Sequence, residues 1–271
     1  MSQPLIAVDV GNSRIKFGLF DSAVADAGCL PQCRCSLAVA IDDDIPWDEI
    51  VRWSPEAARM ASVVAGSNPQ GVQKVRESWR ERHWPEPSIV DDPGRFPLEV
   101  RLAEPRKAGV DRLLNAVAAN VIRPAGRPTV IVDSGTATTV DCVGPEGAFY
   151  GGAILPGFEM SARALNHYTS LLPFVSIDEL ADESHEPLGT DTREALRSGL
   201  FWGQLGAVRE LVAQLAAAHH EPVFLLLTGG GASLLATHLE NARCEPHLAL
   251  QGLAIVADRL FDSASESSSD G

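Results

Sequence analysis

The chain has 271 residues, enough for one large domain or two of ordinary size, and 45% of them are hydrophobic, which supports a buried core. Its formal net charge is −14, from 36 Asp and Glu against 22 Lys and Arg. That balance argues against a nucleic-acid-binding surface, because such a surface needs clustered Lys and Arg. It leaves ATP binding open, since nucleotide sites use local amides, a metal ion and a few cations.

The sequence pattern predicts neither an export signal nor a membrane helix. Asp9 follows only a few apolar residues, and no run reaches the roughly 18 apolar residues of a membrane helix. Five cysteines is an odd number, consistent with reduced thiols, so we expect a cytoplasmic protein. Cys29, Cys33 and Cys35 cluster, but no second pair of ligands with metal-site spacing follows, so free thiols are favoured over a metal site.

The first predicted element is a β-hairpin. Residues 5–10 and 14–20 have the pattern of two strands joined by a Gly-Asn-Ser turn, and Asp9 stands where the first strand meets that turn. Glycine lets backbone approach a ligand closely, and turn amides and hydroxyls donate to phosphate oxygens. A strand-end aspartate can hold a cation or a metal-bound water. Arg14 and Lys16 either add positive charge or lie on the solvated face of the second strand.

Between this hairpin and residue 128, the pattern predicts short alternating elements. They are a helix over 47–60, a strand over 61–66, a helix over 69–83, a loop over 85–105 with a strand at 98–100, and a helix over 111–121. The breaker-rich stretch 124–128 ends the last helix and marks a domain boundary.

Asp111 has two readings that the sequence leaves open. Aspartate is a common helix N-cap, and the same carboxylate can act as a general base that takes the proton from a substrate hydroxyl. A base of this kind typically contributes ~10²–10⁴ in rate. Arg112 beside it either binds an anionic substrate group through two hydrogen bonds or faces solvent.

After residue 128 the pattern of the first hairpin returns. A β-branched apolar run ends in Asp133, and Ser134-Gly135-Thr136-Ala137 follow, as at Asp9. Either copy alone has the composition of an ordinary Asp-Gly turn. Their repetition predicts a paired phosphate site. The chain lacks the G-x-x-x-x-G-K-[ST] loop and a dinucleotide G-x-G-x-x-G, so bound ATP would be gripped by the two hairpins from both sides.

The remaining sequence predicts further strands and helices. They are a strand at 148–150, a glycine-bracketed loop at 151–157, helices over 158–168 and 192–219, a strand over 221–228, and helices over 232–239 and 252–261. Gly199, Gly203 and Gly206 form a small-residue stripe on the long helix, which joins two subunits or packs inside one. The turn 229–231 fits either packing of adenosine or an ordinary strand-to-helix turn.

Strand pairs followed by helices occur twice, which predicts an α/β fold of two related halves with the ligand in the cleft between them. We assign residues 1–123 to the N-terminal half and 124–261 to the C-terminal half. The Ser-, Asp- and Glu-rich tail 262–271 is predicted to be disordered.

An ordered set of motifs resembles the type III pantothenate kinases. It comprises Asp9-Val10-Gly11-Asn12-Ser13, Gly109-Val110-Asp111-Arg112, Asp133-Ser134-Gly135-Thr136-Ala137-Thr138, Gly151-Gly152-Ala153-Ile154-Leu155-Pro156-Gly157, Asp191-Thr192 and Thr228-Gly229-Gly230. The resemblance implies an actin-like ATPase fold shared with acetate and sugar kinases, working as a homodimer. It also implies ATP-dependent phosphorylation of pantothenate, the first step of coenzyme A biosynthesis, with Mg²⁺ and a monovalent cation, K⁺ or NH₄⁺.

The resemblance also implies roles for individual residues. The first phosphate loop and the other ATP contact are Asp9, Val10, Gly11, Asn12, Ser13, Arg14, Ile15, Lys16 and Thr136. Asp111 is implied as the catalytic proton acceptor, and Asp133 as the potassium ligand. Pantothenate is implied to contact Gly109, Val110, Asp111, Arg112 and Thr192.

Leu102 departs from the family pattern. The family often has a substrate-contacting tyrosine nine residues before the catalytic aspartate, and Leu102-Ala103-Glu104-Pro105 stands where Tyr-Lys-Asn-Pro is usual. Alternatives therefore stay open: a non-catalytic regulatory accessory protein on the same fold, an actin-like phosphatase, or a kinase for another small hydroxy acid. The negative charge argues against a DNA-contacting regulator, and the joint presence of Asp9, Asp111 and Asp133 favours catalysis.

Overall fold

The computed structural model describes residues 4–21, 28–54, 56–181, 185–219 and 221–267. The chain folds into two compact units. Unit 1 consists of Met1–Arg123 together with His247–Gly271, and unit 2 of Pro124–Pro246. None of the helices in the described ranges combines the length and the apolar character that crossing a bilayer requires.

Each unit is built on one five-stranded sheet. The strands of unit 1 are β1 (Leu5–Val10), β2 (Arg14–Phe20), β3 (Cys33–Ala40), β4 (Ala61–Gly66) and β5 (Ser88–Val90). Those of unit 2 are β6 (Thr129–Ser134), β7 (Ala137–Val143), β8 (Phe149–Pro156), β9 (Phe224–Thr228) and β10 (Arg243–Cys244).

The α-helices of the described chain are α1 (Trp47–Arg52), α2 (Pro69–Glu81), α3 (Val110–Ile122), α4 (Phe158–His167), α5 (Ile177–Ala181), α6 (Thr192–His219), α7 (Ala232–Ala236) and α8 (Leu248–Ser267). Short 3-10 helices cover Ala57–Arg59, Pro93–Arg95 and Pro105–Lys107.

The two sheets share one strand order and one set of strand directions. The order is β3-β2-β1-β4-β5 in unit 1 and β8-β7-β6-β9-β10 in unit 2. In each sheet the first three strands along the chain form an antiparallel meander, and the last two run parallel to its first strand. This repetition confirms the predicted pair of related α/β halves.

Aromatic rings dominate the core on one face of the unit 1 sheet. The Trp47 ring meets the rings of Phe17, Trp79 and Trp84 edge to face, with centroids 5.1–5.9 Å apart. Its indole N–H donates to Ser78 Oγ at 2.6 Å, which satisfies the one polar group of a buried side chain. This cluster attaches α1 and α2 to β2.

The core of unit 2 lies between its sheet and α6. Val130 and Val132 of β6 and Val140 of β7 belong to the same buried cluster as apolar residues of α6, namely Leu196, Leu200, Phe201, Leu205 and Val208. Most of these α6 residues lie three or four positions apart, with Leu200 and Phe201 adjacent, so together they cover one side of the helix. The predicted bounds of the long helix, 192–219, are confirmed.

The last helix differs from its prediction in length and in place. We predicted a helix over 252–261 in the C-terminal half, but α8 spans Leu248–Ser267 and packs on α3 and β1 in unit 1. Gly252 permits this packing, because a Cβ there would lie 2.0 Å from Leu114 O. Six residues of the tail predicted to be disordered, 262–267, extend α8, since an existing helix grows without a new nucleation step. Residues 268–271 lie outside the described residues.

Three strands also differ from the prediction. β3, which pairs with β2, was not predicted. The segment 85–105 contains one short strand, as expected, but it is β5 at Ser88–Val90, paired with β4, and not residues 98–100. Most of the expected glycine loop at 151–157 belongs to β8, paired with β7. A Cβ at Gly152 would lie 2.0 Å from Val140 O, so this glycine serves a close strand approach rather than a turn.

Candidate active site

The first predicted phosphate loop is a tight turn between β1 and β2. The Gly11 N–H donates to Arg14 O at 2.9 Å and closes the turn. Asn12, Ser13 and Arg14 are exposed. The turn therefore presents a hydroxyl, an amide and a guanidinium group to solvent or to a ligand.

Asp9 and Lys16 face each other at the base of this turn. They are register partners in the β1–β2 ladder, and Lys16 Nζ lies 3.7 Å from Asp9 Oδ2. Asp9 is only 3% exposed. Because a buried carboxylate is costly without an opposite charge, Lys16 stabilises the ionised form of Asp9. Lys16 itself is only half-buried, so its ammonium group remains accessible.

Helix α2 begins beside the same turn. A Cβ at Gly71, in the first turn of α2, would lie 2.6 Å from Val10 Cγ1. Asn68 caps this helix by accepting the Gly71 N–H at 3.1 Å, and the Ser67 N–H donates to Val10 O at 3.1 Å. The positive end of the α2 dipole thus lies next to the residue before Gly11, where it favours a bound anion.

Asp111 is the second residue of α3. Its Oδ1 accepts the N–H of Arg112 at 3.0 Å, so the carboxylate turns back toward the start of the helix. Gly109 lies against it, and a Cβ at Gly109 would be 2.6 Å from Asp111 Oδ1. Asp111, Arg112 and the preceding Leu102 are half-buried. The predicted N-cap role is wrong, because Gly109 is the N-cap of α3 and no side chain caps the helix there. The half-buried carboxylate remains accessible for the other predicted role, that of a general base.

The second predicted phosphate loop joins β6 and β7 in unit 2. The Gly135 N–H donates to Ala137 O at 3.1 Å, and the Gly157 N–H donates to Thr136 O at 3.1 Å. A Cβ at Gly157 would lie 2.3 Å from Gly135 O, so α4 begins in direct contact with the turn. Asp133 and Thr136 are half-buried at its two sides.

The glycine turn after β9 packs on this loop. Gly229 has φ +90°, and a Cβ there would lie 2.4 Å from Asp133 Oδ1. The Gly231 N–H donates to Ser134 O at 2.8 Å. Within unit 2 the structure therefore brings together the phosphate loop and the turn for which we predicted either adenosine packing or a plain strand-to-helix junction.

Thr192 is the first residue of α6 and is exposed. Two side chains fix the backbone around it. Asp191 Oδ1 accepts the Glu194 N–H at 2.8 Å, and Glu194 Oε2 accepts the Thr190 hydroxyl at 2.6 Å and the Thr190 N–H at 2.8 Å. These bonds from Thr190 lower the pKa of Glu194, which keeps the capping carboxylate ionised.

Two buried polar residues behind the second loop were missed by sequence reasoning as site residues. Asp141 is 1% exposed and accepts the Thr139 hydroxyl at 3.0 Å. Gln204 of α6 donates to Thr138 Oγ1 at 2.7 Å. A signal for Gln204 was available, because it interrupts the apolar series Leu196, Leu200 and Val208 on the buried face of α6.

Within the described ranges, no three His, Cys, Asp or Glu side chains are arranged to hold a metal ion. Burial and the neighbouring Cys35 thiol raise the pKa of Cys33 to about 11. Cys33 is therefore a poor thiolate nucleophile at neutral pH. Asp9 in unit 1 and Asp133 in unit 2 carry carboxylates, the ligand type that hard cations prefer.

Comparison with known proteins gives a consistent result. The family model of the type III pantothenate kinases matches residues 5–214. The chain is 34% identical over 239 residues to the type III pantothenate kinase of Caulobacter vibrioides. The aligned region covers 85% of this chain and 87% of that protein.

Solved structures with low sequence identity share the fold. The activator of the 2-hydroxyisocaproyl-CoA dehydratase from Clostridium difficile, with bound ADPNP, matches with a TM-score of 0.53 and 14% identity, over 99% of this chain and 98% of that one. A Sinorhizobium meliloti protein described as a 2-dehydro-3-deoxygalactonokinase matches with a TM-score of 0.54 and 14% identity, over 95% and 99%. The fold is that of the actin-like ATPases and sugar kinases, as predicted. On the match of residues 5–214 and the identity to its relatives, the chain belongs to the type III pantothenate kinase family.

Proposed function

We propose that the protein transfers the γ-phosphoryl group of ATP to the primary hydroxyl of pantothenate, giving 4′-phosphopantothenate in the first step of coenzyme A biosynthesis. The observation that carries this proposal is the placement of three aspartates within a matching family model. Asp9 and Asp133 stand at the ends of equivalent strands, and Asp111 stands in the first turn of α3.

The first turn binds the ATP phosphates in this proposal. Residues 9–16 supply the backbone N–H groups, the Ser13 hydroxyl and the Lys16 ammonium, and the start of α2 adds its dipole. Thr136 of the second turn contacts ATP as well. Phosphoryl transfer depends mainly on positioning and on neutralising charge, and both hairpin turns serve those ends.

Asp111 acts as the general base. Its Oδ2 takes the proton of the pantothenate hydroxyl while Oδ1 stays hydrogen-bonded to the Arg112 N–H. Gly109, Val110 and Arg112 bind pantothenate around it, and the Arg112 guanidinium pairs with the pantothenate carboxylate. Thr192 adds a further pantothenate contact.

A monovalent cation, K⁺ or NH₄⁺, fits beside Asp133. Gly229 lies directly against Asp133 Oδ1 and Ser134 O, so a half-buried carboxylate and a backbone carbonyl oxygen are close together, and both are oxygen ligands of the kind that a hard cation takes. This cation and the Mg²⁺ that accompanies ATP supply positive charge near the transferring phosphoryl group. Asp133 would hold the cation, and the Asp9–Lys16 pair would lie within the turn that binds the phosphates.

We also propose that two copies of the chain associate through unit 2. Four of its large apolar side chains are 63–90% exposed, namely Ile154, Tyr168, Leu171 and Leu188. Apolar side chains left in solvent are available to a partner surface. In the described part of the chain, no atom other than those of the local helix backbone lies within 4 Å of a Cβ on the glycine stripe of α6, formed by Gly199, Gly203 and Gly206, so another helix can approach it closely. A cytoplasmic location fits an enzyme supplied with ATP and potassium.

The test is ADP release from ATP with and without pantothenate, in buffers that contain K⁺ or only tetramethylammonium. We expect release that requires both pantothenate and K⁺. Release without any acceptor would indicate a phosphatase. Release with another hydroxy acid but not with pantothenate would contradict the proposed substrate and direct attention to Leu102.

A further inference from the structure

A buried hydrogen bond connects α6 to the second phosphate loop. Gln204 Nε2 donates to Thr138 Oγ1 at 2.7 Å, and the two residues are 7% and 0% exposed. Gln204 occupies the fourth-residue series of Leu196, Leu200 and Val208, where the other members are apolar. Buried side-chain amides need their hydrogen bonds, so this pair holds a fixed geometry.

Thr138 is the residue that closes the turn. It pairs with Ser134 across the β6–β7 ladder and with Leu155 of β8 on the other side. Its backbone is thus held within the sheet, and its side chain is held by α6. Any shift of Thr138 moves the turn residues 135–137, because they lie between Thr138 and its partner Ser134.

Two helices therefore support the turn. The start of α4 holds it through the Gly157 N–H bond to Thr136 O at 3.1 Å, and α6 holds it through Gln204. Gln204 also lies twelve residues after Thr192, about 18 Å along the helix axis. One rigid helix thus carries both the proposed pantothenate contact and the anchor of the proposed ATP loop.

We propose that Gln204 is a positioning residue for the nucleotide: through Thr138 it holds the Ser134–Thr138 turn in the shape that binds ATP. This inference rests on the proposed contact between Thr136 and ATP. It predicts that loss of the hydrogen bond weakens nucleotide binding more than it weakens pantothenate binding or slows the chemical step.

The test uses Gln204→Leu, which removes the amide at similar volume, and Thr138→Val, which removes only the hydroxyl. The matched control is Gln214→Leu on the same helix, because Gln214 is exposed and donates to Glu210 Oε1 at 2.7 Å. The affinity for AMP-PNP is measured by calorimetry, together with the KM for ATP, the KM for pantothenate and kcat.

We expect each single variant to weaken AMP-PNP binding and to raise the KM for ATP about fivefold, as loss of one good hydrogen bond does. The double variant should be no worse than the poorer single variant, since both remove one interaction. In these variants the KM for pantothenate should stay within about twofold of wild type. In Gln214→Leu, the AMP-PNP affinity and both KM values should stay within about twofold of wild type.

Folded single variants with unchanged nucleotide affinity and a lowered Tm would overturn the proposal and leave Gln204 a purely structural residue. If Gln204→Leu fails to fold, the AMP-PNP affinity of Thr138→Val alone tests the proposal, because that substitution keeps the side-chain volume. Calorimetry with AMP-PNP needs no acceptor. A wild-type protein that binds AMP-PNP but ignores pantothenate would therefore contradict the proposed function without touching this inference.

Discussion

Replacing Asp111 by asparagine separates the two roles of its carboxylate. Asparagine keeps an oxygen that can accept the Arg112 N–H, so the start of α3 should persist. It cannot take a proton, so we expect kcat to fall ~10²–10⁴-fold, the usual contribution of a general base. ATP affinity and Tm should stay close to wild type. Turnover by Asp111→Asn at the wild-type rate would remove Asp111 from the mechanism.

Gly109→Ala tests how closely the Asp111 carboxylate is positioned. The added methyl carbon would lie 2.6 Å from Asp111 Oδ1, closer than any real contact, so the carboxylate must rotate away. Since small misplacements of reacting groups cost up to about 10²-fold in rate, we expect kcat to drop at least about tenfold.

The control is the double variant Gly109→Ala with Asp111→Asn. If Gly109 acts only through Asp111, the methyl group adds no further loss to the asparagine variant. Additive losses of kcat would mean that the methyl group disturbs the reaction independently of the Asp111 carboxylate, through the pantothenate contact proposed for Gly109.

Residues of the candidate site were predictable to unequal degrees. Asp9 and Asp133 follow from local pattern, because each stands where an apolar strand meets a glycine turn. The pattern left Asp111 open between helix cap and general base, and only the family resemblance implies its role. The close approach of Gly109 to the Asp111 carboxylate is a distance, which a sequence pattern does not give. The hydrogen bond between Gln204 and Thr138 joins residues that are 66 positions apart in the chain. Sequence periodicity marks Gln204 as an exception but cannot name its partner.

At the scale of elements, local signals sufficed where they were strong. The hairpins of β1–β2 and β6–β7 and the bounds of α6 follow from alternation, turn residues and a long apolar stripe. The prediction missed β8 because its glycines are typical of a loop. Gly152 is a glycine because β7 lies too close to leave room for a side chain. β5 has only three residues, and its pairing with β4 decides its place.

The segment before α6 is expected to make stability depend on pH. The His185 ring stacks on Phe201 with centroids 3.5 Å apart, and the Trp202 indole N–H donates to His185 O at 3.0 Å. Burial, then Arg197 and His238, lower the pKa of His185 below its usual 6.5. The unfolded chain therefore binds the proton more readily, so stability falls as pH drops below about 6.5 toward the folded-state pKa.

His185→Phe keeps a stacked ring that cannot titrate. We expect the wild-type Tm to fall more than the variant Tm between pH 7 and pH 5. The comparison uses thermal melts followed by circular dichroism in matched ionic strength. Parallel curves for the two proteins would mean that the protonation of His185 does not destabilise the fold.

At the scale of the molecule, the repeated sheet topology was predictable and the path of the chain was not. The motif at Asp9 recurs at Asp133, and the two sheets repeat one strand order. α8 returns to unit 1 after β10, although its sequence reads as an ordinary amphipathic helix. Its partner is fixed by the contact of Gly252 with Leu114 O, which no local pattern reports.

Gly203→Arg tests the proposed dimer at the glycine stripe. Among the described residues, no atom outside this stretch of α6 and its backbone lies within 4 Å of a Cβ at Gly203, and arginine is a better helix former than glycine, so the single chain should fold normally. A charged side chain in a close helix contact is costly, however. We expect the wild-type protein to sediment at twice its 28.9 kDa chain mass, and the variant to sediment as a monomer at micromolar concentration.

The control for the added charge is Gln70→Arg, an exposed residue of α2 in unit 1. It should leave the wild-type mass unchanged. Because each chain carries a formal charge of −14, two copies repel each other, and salt screens that repulsion. An apolar contact should therefore tighten as ionic strength rises. A wild-type dimer that dissociates with added salt, or a Gly203→Arg protein that stays dimeric, would place the subunit contact elsewhere than the α6 stripe.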